Sequence, residues 1–300
     1  MGDAVIHKTA MVTISGRPNV GKSTLVNALV GEKVAIVTNK PQTTRNRILA
    51  VLNQGETQFV FVDTPGYHAP RTRLGDYMVK VIRESVVDVD AVVLMVEPIP
   101  NIGKQEEALI QWIKSGGAPS VLVINKIDTV KKEELLAVIA LYQNAHDFDA
   151  IMPLSARNGD GLDNLLSFLD RYALEGPQLF PDDMITDQPE RQIMAEIIRE
   201  KLLLCLQKEI PHGTAVEIET FSQRENGIID IEATIYTEKA SHKGMIIGKE
   251  GAMLRQVGEM ARRDMEQFMG EKVYLTTWVK VKEKWRDSDY LIRNFGYTSQ

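Results

Sequence analysis

The 300-residue sequence has only one cysteine, Cys205, so no internal disulfide can form. Its place in an apolar helical stretch fits a reducing compartment. There is no apolar run long enough to span a bilayer. The most apolar one, Ala91–Val96, is bracketed by Asp88, Asp90 and Glu97 and reads as a buried strand. Met1–Ala10 carries no long apolar segment, so no signal peptide is expected. Internal repeats and low-complexity tracts are absent, and so is an excess of positive charge. The net charge of −6 argues against a wholly basic nucleic-acid coat but leaves local patches open. What remains is a soluble globular composition, 44% apolar and 25% charged, at a length that suggests two domains.

From Lys8 to Arg171 short apolar runs alternate with amphipathic stretches. Strands are expected at Ala10–Ser15, Ile48–Leu52, Gln58–Val62, Ala91–Val96, Ser120–Ile124 and Ile151–Leu154. Helices are expected at Lys22–Val30, Gly75–Ser85, Lys104–Lys114, Lys132–Gln143 and Gly161–Arg171. Runs without polar alternation, such as Val121–Ile124, suit parallel strands covered on both faces. The fold class is therefore α/β, doubly wound, with a mostly parallel sheet. Asn53–Glu56 lies between two strand-like runs and predicts a hairpin, with one antiparallel strand. The Pro-, Gly- and acid-rich segment after Glu175 reads as a linker, giving domains at 8–175 and 189–295 joined by 176–188. Beyond it the order is helix (Pro189–Gln207), strands (Ala215–Thr220, Ile228–Tyr236), helix, glycine turn, helix (Ala252–Met269) and strand (Val273–Val281).

Gly16-Arg17-Pro18-Asn19-Val20-Gly21-Lys22-Ser23 follows a strand and opens a helix, with Thr24 next, as a phosphate-binding P-loop requires. Glycines let backbone N–H groups curl around a phosphate, Lys22 reaches the β- and γ-phosphates, and the Ser23 hydroxyl suits Mg²⁺. Asp63-Thr64-Pro65-Gly66 ends another strand, placing a carboxylate near that metal and the Gly66 N–H near a γ-phosphate. Asn125-Lys126-Ile127-Asp128 ends a third, and the Asp128 carboxylate can accept two hydrogen bonds from guanine that adenine does not offer. Ser155-Ala156-Arg157 ends a fourth, where a backbone N–H can meet guanine O6. Each short motif alone reads as a turn. Together, in this order, they converge on the crevice where doubly wound sheets bind ligands, and they imply GTP with Mg²⁺.

With these motifs the sequence resembles GTPases of the translation-factor class. Within it, Pro41-Gln-Thr-Thr-Arg45 is similar to the switch I sequence of the Era family. The resemblance implies that Thr44 coordinates Mg²⁺ and senses the γ-phosphate, with Thr43 the lesser candidate, and that Lys22, Thr44, Gly66 and Asn19 serve hydrolysis. Many GTPases carry a water-orienting Gln after the DxxG glycine. Tyr67 stands here, and a phenol cannot copy the amide's paired donor and acceptor, so slow intrinsic hydrolysis is expected. Asn19 resembles an asparagine that related GTPases use to hold an activating K⁺. The other reading is that it only shapes the loop.

In the second half, Ile247-Gly248-Lys249-Glu250-Gly251 precedes an amphipathic helix. The arrangement resembles a type II KH domain, a smaller α+β unit whose GxxG loop clamps an RNA backbone. Lys239–Arg286 holds eleven basic residues against six acidic, which supports RNA binding over a merely solvated face. With His212 and Met245–Gly251 added to the motifs above, the resemblance to the Era family spans roughly Lys8–Phe295. It implies binding near the 3′ end of 16S ribosomal RNA, help in assembling the 30S subunit, and a cytoplasmic monomer, also reported at the inner membrane face. Two other readings compete. An ATP-driven RNA motor would carry no guanine motif, and a nucleotide-binding scaffold would show negligible turnover.

Overall fold

The structure, a computed structural model, describes residues 7–297. The first six residues, part of the stretch read above for its lack of an apolar run, lie outside it. Two compact units divide the chain. One comprises residues up to Ala35, Thr44–Arg71 and Gly75–Asp187. The other comprises Ile36–Thr43, Thr72–Leu74 and residues from Gln188 on.

The first unit is built on strands β1 (Lys8–Gly16), β2 (Ile48–Gln54), β3 (Thr57–Asp63), β4 (Ala91–Val96), β5 (Ser120–Ile124) and β6 (Ala150–Pro153). They lie in the order β2-β3-β1-β4-β5-β6. All pairs are parallel except the β2–β3 hairpin, where Ile48 faces Asp63. Every residue of β4 and β5 is buried, because helices cover both faces. These helices are α1 (Lys22–Val30), α2 (Arg73–Glu84), α3 (Lys104–Gly116), α4 (Lys132–Gln143) and α5 (Leu162–Leu169). One core layer joins Leu25, Val26 and Leu29 of α1 with Leu165, Leu166 and Leu169 of α5. The other joins α3 and α4 through Leu109, Ile113 and Val138. Each such aliphatic burial contributes about 1.5–3 kcal/mol.

Two features of this unit escaped the sequence reading. A short strand β7 (Leu174–Glu175) pairs antiparallel with the start of β1. The segment read as a linker lies along the outer strand β2. The Val51 N–H donates to the Ile185 carbonyl, the Thr186 hydroxyl to the Leu49 carbonyl, and Gln58 holds Leu179 and Phe180.

In the second unit, α6 (Glu190–Cys205), β8 (Thr214–Gln223), β9 (Ile229–Thr237), α7 (Ala240–Ile247), α8 (Ala252–Met269) and β10 (Val273–Val281) are followed by an unexpected helix, α9 (Asp289–Asn294). The sheet runs β10-β9-β8, with β10 parallel and β8 antiparallel to β9. Helices α6 and α8 cover one face through Ile198, Leu202, Val257, Ala261 and Met265. Trp285 is fully buried, donates its indole N–H to the Gly213 carbonyl, and packs against Phe295 and Tyr297. Among the described residues no helix is long and apolar enough to cross a membrane.

Candidate functional site

The P-loop joins β1 to α1 through Gly21, whose φ of 104° is open to glycine alone in practice. A Cβ there would meet Asn125 Nδ2 at 2.4 Å, and one on Gly66 would meet the Pro18 backbone at 2.6 Å. The glycines thus let three loops close on one another. No side chain caps α1, so its first N–H groups face the loop, as anion binding requires.

Lys22 is buried and donates to the Gly16 carbonyl (3.1 Å) and the Arg17 carbonyl (2.9 Å). The metal-binding candidates meet around Asp63. Its Oδ2 accepts from Ser23 Oγ at 2.6 Å and from Thr44 Oγ1 at 3.4 Å, and the two hydroxyls lie 2.9 Å apart. The buried Asp63 Oδ1 makes no hydrogen bond of ordinary geometry, which leaves it for a cation. Burial pushes the Lys22 ammonium down to about 8, against the upward pull of Asp63. Burial also raises the Asp63 carboxyl, against the opposing pull of Lys22, Ser23, Thr44 and the Thr64 backbone. A lowered lysine pKa means the unfolded chain binds more protons between pH 8 and 10.5. The burial therefore costs about 3 kcal/mol below pH 8, a cost that fades as pH rises through that window. A polyanion beside Lys22 and a divalent cation beside Asp63 would relieve both groups.

The base end of the crevice is equally ordered. Ser155 Oγ donates to Asp128 Oδ1 at 2.7 Å, which orients an exposed carboxylate at the end of β5. Asn125 acts as a strut: its amide donates to the Val20 carbonyl (2.8 Å) and accepts from the Ala156 N–H (2.9 Å). Thr64 is tied to the Ile14 carbonyl, Val20 and Pro65 are buried, Thr24 and Ile127 are half-buried, and Arg157 is exposed. Asn19 is exposed and left-handed at φ 65°, with its carbonyl taken by Lys126 Nζ at 2.7 Å. The backbone N–H of Tyr67 reaches the Gly16 carbonyl, but its ring packs edge-on against Trp112, 4.8 Å between centroids.

Sequence reasoning missed Glu97 and Glu106. Glu97 holds Lys126 (2.6 Å) and Arg17 (3.2 Å), and buried Glu106 pairs with Arg17. The one local signal was an acid directly after the apolar run of β4.

In the second unit Ile247 ends α7, and Gly248 (φ 75°), Glu250 (φ 53°) and Gly251 (φ 78°) turn the chain into α8. A Cβ on Gly248 would meet the Met253 backbone nitrogen at 2.9 Å. Lys249 and Glu250 are exposed at the tip. Beside this loop runs a groove of about 350 Å³, lined by Gly251, Arg255, Glu259 and Arg262 of the α8 side and by Leu275 and Thr277 of β10.

Known proteins match both halves. A family model described as 50S ribosome-binding GTPase matches residues 11–126, and a KH domain model matches residues 209–286. GTPase Era of Ruminiclostridium cellulolyticum is 49% identical over 291 residues, 97% of this chain and 98% of that protein. GTPase Era of Clostridioides difficile is 48% identical over 297 residues, 98% and 100%. Among solved structures, Era in complex with MgGDPNP and nucleotides 1506–1542 of 16S ribosomal RNA aligns with a TM-score of 0.94. It is 38% identical and covers 98% of this chain and 100% of its own. An Aquifex aeolicus Era variant bound to GDP and AlF₄⁻ aligns equally well, at 38% identity over 97% of this chain. With the P-loop, the guanine-side loop and the GxxG turn all in place, the chain belongs to the Era family and is a GTPase.

Proposed function

We propose that this GTPase binds GTP and GDP with Mg²⁺, binds 16S ribosomal RNA near its 3′ end through the GxxG loop, and assists assembly of the 30S subunit. The gathering of Ser23, Thr44 and the part-unpaired Asp63 beside Lys22 supports the nucleotide half. That donor set fits Mg²⁺, which takes few protein ligands and completes its shell with phosphate and water. Bound there, the ion would neutralise phosphate charge, held by Ser23, Asp63 and Thr44. The observation that carries the RNA half is the left-handed GxxG turn opening onto a groove flanked by Arg255 and Arg262.

Guanine choice rests on Asp128. Asp128→Asn exchanges a charged acceptor for an amide, and GTP affinity should fall by about 1.5–3 kcal/mol. Xanthine nucleotide should bind better at the same time, since that base offers an oxygen in place of the guanine amine. Competition titrations check both, and unchanged GTP binding would remove this role from Asp128.

Turnover should be slow, because the Tyr67 ring is engaged with Trp112 and offers no amide to a water. We propose that Asn19, exposed at the head of the P-loop, supports an activating K⁺. Phosphate release should then be faster in K⁺ than in Na⁺, and Asn19→Ala should erase the difference. A rate indifferent to the alkali ion leaves Asn19 the backbone role that its left-handed φ already shows.

A further inference from the structure

Helices α6 and α8 cover one face of the three-stranded sheet of the second unit. On the other face Phe295, at the end of α9, packs 4.9 Å from the ring of Tyr236 and leaves the β10 side open. Val273, Val279, Ile229, Ile231, Ala233, Ile235, Val216 and Ile218 point into the core beneath α6 and α8. Side chains alternate across a strand, so Tyr274, Thr276, Trp278 and Lys280 of β10 stand on the opposite face. They are joined there by Asp230, Glu232, Thr234 and Tyr236 of β9. The Thr234 hydroxyl donates to Glu219 and the Tyr236 hydroxyl to Glu217, which puts both β8 carboxylates on the same side. Trp278 is 57% exposed and Tyr274 54%. Of the chain's three tryptophans, this is the one displayed most openly, while Trp285 is sealed in the interior.

Charge on this face has a sign. Four carboxylates, Glu217, Glu219, Asp230 and Glu232, meet three cations, Lys280, Arg224 and Lys282. All three cations are already engaged: Lys280 with Glu219 at 3.1 Å, Arg224 with Asp230 at 2.7 Å, and Lys282 over the Tyr236 ring, 5.7 Å from its centroid. Among the described residues Glu217 and Glu232 have only hydroxyl partners, Tyr236 and Thr220. The exposed aromatics therefore sit in a net negative frame. Aromatic platforms that stack nucleic-acid bases lie in positive grooves that track phosphates, whereas the three cations of this face are already engaged. The groove beside the GxxG loop, on the other side of the sheet, carries two arginines, Arg255 and Arg262, against one carboxylate, Glu259.

The face also shows what it can hold. The Arg224 guanidinium lies over the Tyr274 ring, 4.7 Å from its centroid, while pairing with Asp230. Trp278 has the better π-face for the same contact, and the exposed Glu232 stands on the neighbouring strand, in register with Thr276. We propose that the open sheet face formed by Tyr274, Trp278, Glu217 and Glu232 docks a basic peptide segment of a partner protein. An arginine of that segment stacks on Trp278 and others are drawn to the unpaired carboxylates. RNA and a basic protein segment can then be held on opposite faces of one sheet.

A fluorescein-labelled peptide, (Arg-Gly)₄, titrated into the full-length protein tests this by anisotropy. Trp278→Ser should weaken binding about tenfold, and Glu232→Lys about fivefold with a shallower salt dependence. Both should keep the wild-type unfolding midpoint and the wild-type affinity for a 16S 3′-end oligonucleotide. Peptide binding equal to wild type in both variants overturns the proposal, since it would reflect the overall negative charge. Loss of oligonucleotide affinity in folded Trp278→Ser would assign the face to RNA. Self-association of the wild type that disappears in Trp278→Ser would assign it to a second copy. Should Trp278→Ser fail to fold, Glu232→Lys carries the test alone, together with quenching of Trp278 fluorescence by the peptide in a Trp112→Phe background.

Discussion

In titrations with fluorescent nucleotide, Lys22→Ala is expected to lose GTP and GDP alike, by about 3–5 kcal/mol. At 1.4 kcal/mol per decade, that is a hundred-fold loss or more. The ammonium is fixed at the phosphate end of the crevice by two P-loop carbonyls. In the free protein the variant has two opposed effects near pH 7, since it removes a buried ammonium and also the cation that opposes the burial of Asp63. Thr44→Ala provides the contrast. Its hydroxyl belongs to the Ser23–Asp63 cluster, and in the proposed role it meets Mg²⁺ only when a γ-phosphate is present. GDP affinity should therefore hold while affinity for a non-hydrolysable GTP analogue drops. Equal losses for both nucleotides in Thr44→Ala would mean that another residue carries the switch.

The second large effect concerns RNA. Changing Lys249 and Glu250 together to Asp should remove most affinity for a 16S 3′-end oligonucleotide at low salt, by about tenfold or more. It should also reduce the salt slope by about one. The turn itself should survive, because Glu250 already sits at φ 53° and Asp tolerates that region at least as well. Nucleotide affinity should be unchanged, since neither residue belongs to the P-loop crevice. RNA binding that persists in the folded double variant would refute the role assigned to the loop. If binding disappears, any effect of GTP on RNA affinity must be matched by an equal effect of RNA on GTP affinity.

The sequence made the nucleotide crevice legible because each part is local. Phosphate needs glycines at fixed spacing, and strand ends deliver Asp63, Asp128 and Ser155 to one rim by the topology of parallel sheets. Helices α1, α4 and α8 and strands β4, β5 and β10 lie where periodicity places them. What escaped depends on partners far along the chain. Asn125 serves as a strut because Val20 and Ala156 approach it, at separations of 105 and 31 residues. Glu106 faces Arg17 across 89 positions, and Trp285 finds Gly213 across 72. The Tyr67 ring was read for the chemistry it lacks, and its anchor on Trp112 became visible only when α3 was placed. Helix α9 is six residues long, too short for a periodic signal.

The segment along β2 has a consequence for solubility. β2 is the outermost strand of the large sheet, and its first four residues, Ile48–Val51, are buried and apolar. A bare edge of that kind is a template for strands of other molecules. The N–H groups of Leu49 and Val51 and the carbonyl of Leu49 are instead taken by Asp187, Ile185 and Thr186. At the opposite edge, β6 is only four residues long and ends in Pro153, which cannot donate to a ladder. The proline- and acid-rich stretch that joins the two halves thus keeps copies of the chain from pairing edge to edge in a crowded solution.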